Sequence, residues 1–191
     1  MKTGINGVSA NTPKNILFGA GTIHKGLKYE GDKWNFDASI IGATSGGSKL
    51  SIVPEITKVE ADGVFVSAKG LNKKTGETAT MEVNLLELSK EVITAATLGN
   101  AGTSADTKYD LIESKADIVE GDYWENIAFV GATLDGEPII AILDNALCTS
   151  GLEPESKNKE GAVGKFTFEC YAELSGDLET LPWHIYYPKA T

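Results

Sequence analysis

Short segments in which apolar and polar residues alternate constrain this chain more than any other feature. In the segment Ala79–Glu87, the apolar residues Met81, Val83 and Leu85 alternate with polar ones. Successive side chains of a β-strand point to opposite faces of a sheet, so this pattern predicts a strand with one buried face. Comparable segments recur at short spacing between turns that contain Gly and Asp, which predicts a mainly β protein.

Further strands are predicted along most of the chain. Trp34 and Phe36 are two residues apart and are expected on one face of a strand. Asp135-Gly136 predicts a tight hairpin turn between its flanking strands. The remaining predicted strands are residues 16–18, 22–25, 109–112, 126–134, 138–148, 164–174 and 181–187.

The segment Val53–Thr80 predicts hairpins. Asp62-Gly63 stands between the β-rich runs Ile56–Glu60 and Val64–Val66, and Asp-Gly between two such runs is a strong hairpin signal. The polar segment Lys73–Glu77 predicts a second turn, which leads into the next strand.

Only one segment predicts a helix of useful length. Ser89 is a good N-cap residue, and Val92, Ile93 and Ala96 follow at helical spacing as an apolar stripe. Gly99 is expected to end this helix, because glycine readily adopts the left-handed conformation that follows a last helical turn.

Three segments are expected to lack regular structure. Residues 1–14 are predicted to form an extended arm, and residues 99–120 a flexible loop; either would become ordered on assembly. Gly42–Lys49 is rich in glycine, but a phosphate-binding loop needs Lys directly after its second Gly and a helix after that. Here Ser48 follows Gly47 and a β-like segment follows, so a flexible turn is predicted.

The composition favours one domain with an acidic surface. The chain has 191 residues, 41% of them hydrophobic, which suits a single domain (residues 1–191) with a sizeable core. It contains no Arg and carries a formal net charge of −10, so tight nucleic-acid binding is not expected.

No apolar run reaches the roughly 20 residues of a membrane helix, so no membrane anchor is expected. Nor does the N-terminus have the apolar core of a secretory signal. Cys148 and Cys170 lie in apolar segments and are expected to be buried, reduced thiols.

No recognisable set of residues predicts catalysis, cofactor binding or metal binding. His24 and His184 are the only histidines, they are far apart in sequence, and no nucleophile motif accompanies either. Glu82 and Glu169 are one conceivable carboxylate pair for a glycosidase, but the choice is arbitrary among 27 acidic residues. The protein is therefore interpreted as a non-enzyme.

Eight short motifs occur in order along nearly the whole chain. They are Gly42-Ala43-Thr44-x-Gly46-Gly47, Pro54-Glu55-Ile56, Asp62-Gly63-Val64, Lys69-Gly70-Leu71, Glu82-Val83-Asn84-Leu85-Leu86-Glu87, Asn126-Ile127-Ala128, Asn145-Ala146-Leu147 and Trp183-x-Ile185-Tyr186-Tyr187-Pro188. In this order they resemble motifs of the major tail tube proteins of long-tailed bacteriophages that infect Gram-positive hosts. Residues 100–120 match that family least.

The resemblance implies the tail tube fold, a β-sandwich or half-barrel with one flanking α-helix, and an inner β-barrel completed on oligomerisation. Six copies would form a ring, and rings would stack into a hollow tube through which phage DNA passes without specific binding. The implied partners are further copies, the tape-measure protein, the tail terminator and baseplate or tip proteins. No cofactor and no catalysis are implied. The expected location is the virion tail, assembled in the host cytoplasm.

Under this hypothesis the hairpins of the Val53–Thr80 region line the lumen of the tube. Asp62, Lys73 and Glu77 are the candidate lumen residues, because they lie in its predicted turns. Six copies would carry about −60, six times −10. A lumen that shared this charge would repel DNA and let it slide.

The aromatic residues Trp34, Trp183 and Tyr186 are candidate contacts between subunits, since large aromatic side chains dominate core and interface energetics. Two other interpretations stay open. The inner tube of a contractile phage tail or of a secretion system would share the same fold. A monomeric carbohydrate-binding β-sandwich would instead need an exposed aromatic platform.

Overall fold

A computed structural model describes residues 7–189 of the protein, without the side chain of Lys157. Strands make up 48% of the structure and helices 10%, so the predicted mainly β class is confirmed. Residues 1–6 of the predicted N-terminal arm lie outside the described residues. Thr12–Asn15 forms a 3-10 helical turn instead of an extended segment. Pro13 near its start favours this turn, because the proline ring fixes a φ angle suited to a first helical residue.

The described residues contain twelve strands and two short α-helices. None of these helices has both the length and the apolar character of a membrane span. In chain order the elements are β1 (Leu17–Lys25), β2 (Tyr29–Glu30), β3 (Lys33–Trp34), α1 (Phe36–Ser39), β4 (Thr44–Lys58), β5 (Asn72–Leu85), α2 (Lys90–Thr97), β6 (Asn100–Gly102), β7 (Leu111–Glu113), β8 (Trp124–Thr133), β9 (Pro138–Cys148), β10 (Glu155–Lys157), β11 (Glu160–Cys170) and β12 (Trp183–Tyr186).

Eight of the strands form one antiparallel sheet. Its order is β1-β8-β9-β11-β5-β4, with β10 beside β11 and β12 beside β9, while β2–β3 and β6–β7 are separate two-stranded ribbons. The sheet is curled, because the chain just before β4 lies against β1. The Ile41 amide donates a hydrogen bond to the Ile23 carbonyl at 3.1 Å, and His24 forms an isolated β-bridge with Ile40.

The main core lies on one face of this sheet, where α2 packs. Alternation along β5 places Met81, Val83 and Leu85 in this core with no exposed surface, as the sequence predicts. Phe166 and Phe168 of β11 face them from the neighbouring strand. Burying an apolar side chain of this size stabilises the fold by roughly 1.5–3 kcal/mol. The inner part of the β4–β5 hairpin is therefore firmly anchored.

The helix α2 confirms the one predicted helix. The Ser89 hydroxyl accepts a hydrogen bond from the Val92 amide at 3.3 Å, which caps the first turn. The left-handed residue that ends the helix is Leu98, with a φ of 47°, so the prediction that Gly99 performs this role is wrong. Gly99 is constrained by packing instead, because a Cβ there would lie 2.7 Å from Cγ2 of Ile112.

A second, smaller core lies on the other face of β8 and β9. Trp34 and Phe36 cover it, and their rings stack with centroids 6.4 Å apart. The prediction that the two residues share one strand is wrong, because β3 ends at Trp34 and Phe36 begins α1. Asn35 turns the chain between them: its side chain accepts from the Lys28 amide and donates to the Gly26 carbonyl. The buried residues beneath are Leu27, Ala128, Ile140 and Ile142.

Several segments predicted to be irregular are strands. Thr44 begins β4, so Gly42–Lys49 is largely strand and not a flexible turn. The register of β4 shifts near Gly46 and Gly47, whose φ angles of 84° and 79° suit glycine. Residues 99–120 contain the β6–β7 ribbon, with loop only outside it. The two strands predicted on either side of residues 19–21 are a single strand, β1, with an irregular register there.

Candidate functional site

The most distinctive feature of the surface is the β4–β5 hairpin, which runs from the Thr44–Leu85 pair to the Lys58–Asn72 pair. Its inner half lies over the main core. In its outer half, every residue from position 53 to position 67 is exposed. We call residues 53–78 the distal hairpin. It extends beyond the core, and its backbone ladder continues to the Lys58–Asn72 pair with one irregularity.

The distal hairpin ends in a compact loop of residues 59–71, which we call the tip loop. A hydrogen bond of 2.7 Å from the Val59 amide to the Leu71 carbonyl closes the base of this loop. Asp62-Gly63 forms the predicted turn, with Gly63 at a φ of 84°. Phe65 and Val66 project from the loop with 96% and 78% of their surface exposed. Such exposure of adjacent apolar side chains is typical of a contact surface.

The structure corrects the predicted location of the second turn. Lys73–Glu77 is not a turn but part of β5, and Val64–Val66 belongs to the tip loop and not to a strand. The Lys73–Glu77 segment is polar because the distal hairpin meets solvent on both of its faces. Polarity alone does not distinguish a solvated strand from a turn.

A β-bulge interrupts the distal ladder between Glu55 and Ile56, where Thr75 is the extra residue. The Thr75 hydroxyl lies 2.9 Å from the Thr57 hydroxyl across the hairpin. In a regular strand, residues three apart point to opposite faces. The bulge changes this phase, and Lys74 and Glu77 form an ion pair with an N–O distance of 2.8 Å.

Glu77 marks the boundary between the core and the distal hairpin. Its side chain is only 8% exposed, and its Oε2 accepts a hydrogen bond from the Trp183 indole at 3.0 Å. Hydrogen bonds from Lys74 and then from Trp183 hold the pKa of Glu77 below its ordinary value. The carboxylate therefore stays charged at neutral pH and ties the base of the distal hairpin to β12.

The charge of the distal hairpin differs from that of the whole chain. Residues 53–78 contain four Lys and four Asp or Glu, so their formal charge is zero. The net charge of −10 therefore lies entirely on the remainder of the protein. A surface built from distal hairpins would be electrically neutral, contrary to the acidic lumen that the total charge suggests.

The three candidate lumen residues all lie on the distal hairpin, but at different distances from the core along its strands. Asp62 is in the tip loop, Lys73 is in the outer part of β5, and Glu77 is at the boundary with the core. Only Asp62 occupies a turn. The assignment of these residues to a lumen stays a prediction, since it concerns an assembly.

Two of the three candidate contact residues come together. The Trp34 and Tyr186 rings meet edge to face with centroids 4.9 Å apart, and Tyr29 packs against Trp34 at 5.4 Å. Tyr29 and Tyr186 are about half exposed, so this aromatic cluster is partly open to solvent. Trp183, which alternates with Tyr186 along β12, packs instead against the main core.

Both histidines have structural surroundings. His24 is buried, with its ring nitrogens 2.7 Å from the Thr22 hydroxyl and 2.9 Å from the Ser39 hydroxyl. Burial lowers the pKa of His24, so its imidazole is neutral. His184 is exposed and lies 3.1 Å from the Asp144 carboxylate, whose pKa burial raises. Neither histidine lies within hydrogen-bond distance of a cysteine thiol.

The remaining candidates for chemistry are equally unremarkable. Glu82 and Glu169 lie on the neighbouring strands β5 and β11, and Glu82 is paired with Lys49 at 2.6 Å. Cys148 and Cys170 are buried and form no disulfide, as predicted. Burial raises the pKa of Cys170 to about 12, which leaves its thiol protonated and unreactive.

Sequence reasoning missed a groove beside the distal hairpin. It has a volume of about 660 Å³ and lies between β5 and the loop of residues 171–182 that leads into β12. No local motif marks it, because its walls are far apart in sequence. Neither the protein-family models nor the curated proteins searched include a match to this chain.

Proposed function

We propose that this protein is a structural subunit of rings that stack into a hollow tube, as the resemblance to major tail tube proteins of bacteriophages implies. The observation that carries the proposal is the distal hairpin. A long, uncovered hairpin with an apolar tip is costly for a protein that acts alone, because it offers an edge for aggregation. It is suited to a protein whose copies cover one another.

The open edge of the sheet supports this assembly. Over the described residues, β4 has a ladder partner on one side only, β5. The main-chain groups on its other side can pair with a strand from the next subunit. Repetition of such a contact around an axis turns a curled sheet, or half-barrel, into a closed barrel without edges.

In the proposed tube the distal hairpins form the inner wall, with Asp62, Lys73 and Glu77 facing or flanking the lumen. The neutral charge of residues 53–78 gives this wall neither strong attraction nor strong repulsion for DNA. DNA transit through the lumen follows from the resemblance. So do the partners, namely the tape-measure protein, the tail terminator and baseplate or tip proteins.

A monomeric carbohydrate-binding module is the second candidate. The observation in its favour is the half-exposed aromatic cluster of Tyr29, Trp34 and Tyr186. Aromatic rings with free faces can stack on sugar rings. This candidate gives no role to the distal hairpin, which is why we rank it lower.

The test is to shorten the distal hairpin and examine assembly. Residues 55–76 are replaced by Asn-Gly, which joins Pro54 to Glu77 and retains the Trp183 contact. The unmodified protein is expected to form rings or hollow tubes in negative-stain electron microscopy. The shortened variant is expected to be a folded monomer by light scattering and circular dichroism.

A matched control shortens the turn between β10 and β11, where residues 158–161 are exposed, and is expected to assemble normally. An unmodified protein that stays monomeric at all concentrations and binds glycans on an array would overturn the tube proposal in favour of the second candidate. Tubes formed by the shortened variant would also contradict the assigned role of the hairpin.

A further inference from the structure

The groove beside the distal hairpin has the form of a docking site. Its residues come from the outer part of β5 and from the loop that precedes β12. They are Lys73, Lys74, Thr75, Gly76, Glu77, Ala172, Leu178, Glu179, Thr180 and Leu181. A volume of about 660 Å³ lies within the range of sites that bind small ligands or a few side chains.

One wall of the groove is an unpaired strand edge. β5 pairs with β4 along its whole length, but its pairing with β11 covers only residues 80–85. Towards Asn72 the second edge of β5 therefore has no strand beside it within the described part of the chain. Main-chain donors and acceptors along such an edge can receive an extended segment.

The opposite wall is preorganised by Asp177. Its carboxylate accepts a hydrogen bond from the Glu179 amide at 2.8 Å and another from the Thr180 hydroxyl at 2.7 Å. These bonds hold the loop in a turn that presents Leu178, with 65% of its surface exposed, towards the groove. A wall that is ordered in advance lowers the entropic cost of binding.

We propose that the tip loop of a second copy of this chain occupies this groove. The apolar residues Val64, Phe65 and Val66 of the tip loop are the most exposed consecutive apolar run of the distal hairpin. In the groove, Leu178 and Leu181 provide the apolar surface that would cover them. The inference rests on the proposed function, since it names a surface through which subunits of the tube contact one another.

The charges of the two surfaces are complementary. In the tip loop, Glu60 and Asp62 precede the apolar run and Lys69 follows it. In the groove, Lys74 and Glu77 pair with each other, which leaves Lys73 on the β5 side and Glu179 on the loop side. An incoming tip loop can thus place carboxylates towards Lys73 and its lysine towards Glu179. Such pairs add little affinity at a solvated rim, but they fix orientation.

The contact is placed between molecules. Within one chain, no residue of the tip loop lines the groove, although the ladder pairs Ile56–Lys74 to Lys58–Asn72 join the two regions. A contact between two different surfaces of identical subunits is heterologous, and it propagates into a ring or a filament. The tip and the groove are therefore two halves of one repeating contact.

The experiment uses two variants that each destroy one half of the contact. Phe65→Ser removes the apolar tip, and Leu178→Asp places a charge in the groove. Both positions are exposed, so both variants are expected to fold. Each alone is expected to be monomeric by light scattering under conditions in which the unmodified protein assembles. The matched control is Leu174→Asp, in the same loop with 91% exposure but outside the groove lining, and it should assemble.

Mixing the two variants gives the decisive result. The intact groove of the Phe65→Ser protein can receive the intact tip of the Leu178→Asp protein, but no further tip-to-groove contact can follow. The expected product is a 1:1 dimer, with twice the 20.2 kDa mass of one chain. A mixture that stays monomeric, or a Phe65→Ser variant that assembles like the unmodified protein, would overturn the inference.

Failure of this inference is distinguishable from failure of the proposed function. Hollow tubes from the unmodified protein and from both variants would support the tube proposal and contradict the tip-to-groove contact. Mixed dimers, with no tubes from the unmodified protein, would support the contact and contradict the tube proposal. A protein that is monomeric at every concentration would overturn both.

Discussion

The inner and outer halves of the β4–β5 hairpin share one backbone ladder but differ in what covers their side chains. In the inner half, Met81 and Val83 have no exposed surface. In the outer half, Ile56 on the partner strand is 64% exposed. Apart from the register shifts before Ser48 and at Thr75, the main-chain pairing is antiparallel and regular in both halves. A comparison of the two halves therefore separates the contribution of the main-chain ladder to stability from the contribution of side-chain burial.

The ladder alone does not explain why the outer half is ordered. A hydrogen bond contributes only about 0.5–1.5 kcal/mol net, and an isolated two-stranded hairpin is marginally stable at best in water. The inner half is stabilised by its own chain. The outer half extends from that anchor, and its apolar residues gain burial only when another molecule covers them.

The largest expected effect comes from a charge in the inner half. Val83→Asp or Leu85→Asp would bury a carboxylate without a partner, at a cost of several kcal/mol, comparable with the roughly 5–15 kcal/mol stability of a domain. We expect neither variant to yield folded protein by circular dichroism. The control Val53→Asp makes the same change where the residue is 51% exposed, and it should fold. A soluble, folded Val83→Asp monomer would contradict this comparison.

A pH titration acts on one side of this comparison only. A buried histidine, His24, lies outside the distal hairpin, and the distal hairpin contains no histidine. The folded-state pKa of His24 is lowered by burial, so the unfolded chain takes up this proton first as pH falls. The resulting stability is complete above the ordinary histidine pKa of about 6.5 and is lost as pH falls below it. We expect the urea midpoint to be lower at pH 5.5 than at pH 7.5.

The difference in urea midpoint between pH 7.5 and pH 5.5 should be smaller in His24→Asn, because the Asn amide cannot take up that proton. The comparison variant is His184→Gln, which removes the exposed histidine and leaves His24 in place. If the urea midpoint depended on pH equally in His24→Asn and in the unmodified protein, His24 would have the same pKa in the folded and unfolded states.

A smaller effect is expected at the boundary between the two halves. Glu77→Ala removes the acceptor of the Trp183 indole and the partner of Lys74, and we expect a loss of about 1 kcal/mol in unfolding free energy. Glu77→Gln retains an acceptor for Trp183 and should lose less. Urea denaturation followed by tryptophan fluorescence measures both. The exposed Glu60→Ala serves as the control, and a stability of Glu77→Ala equal to this control's would argue against the boundary role.

The smallest effect on the monomer is expected in the outer half itself. Ile56→Ser should change the unfolding free energy by less than about 0.5 kcal/mol, because the side chain already meets solvent. Its effect on assembly, followed by light scattering against concentration, should be much larger than its effect on stability. A loss of monomer stability above 2 kcal/mol would mean that the outer half packs against its own chain after all.

Local signals in the sequence predicted those elements whose partners are close in the chain. The Asp135-Gly136 turn forms as predicted, with the Gly136 amide donating to the Thr133 carbonyl at 2.9 Å. The strand Pro138–Cys148 matches the predicted residues 138–148. The helix cap at Ser89 is also correct. In each case the decisive interaction lies within a few residues.

Features that depend on distant pairing could not be predicted. The tip of the long hairpin was misplaced because the pairing of Lys58 with Asn72 is decided across the whole tip loop. The meeting of Trp34 with Tyr186 brings together opposite ends of the chain. The groove likewise requires β5 to lie beside the loop before β12. Sequence periodicity carries the phase of each strand but not the identity of its neighbour.

The bulge at Thr75 acts like a dislocation in a crystal lattice, since one strand slips by a single residue relative to its partner. Positions that share the face of Met81 and Val83 are odd-numbered on the core side of this defect and even-numbered beyond it, where Lys74 pairs with Ile56. Deleting Thr75 would remove the bulge and leave the pairs Ile56–Lys74 and Thr57–Lys73 in place. If Thr75 instead paired regularly with Ile56, Lys74 would pair with Thr57 and the faces of the two lysines would exchange. The bulge thus sets which lysine lies toward Glu77 and which points away, without altering a single charge.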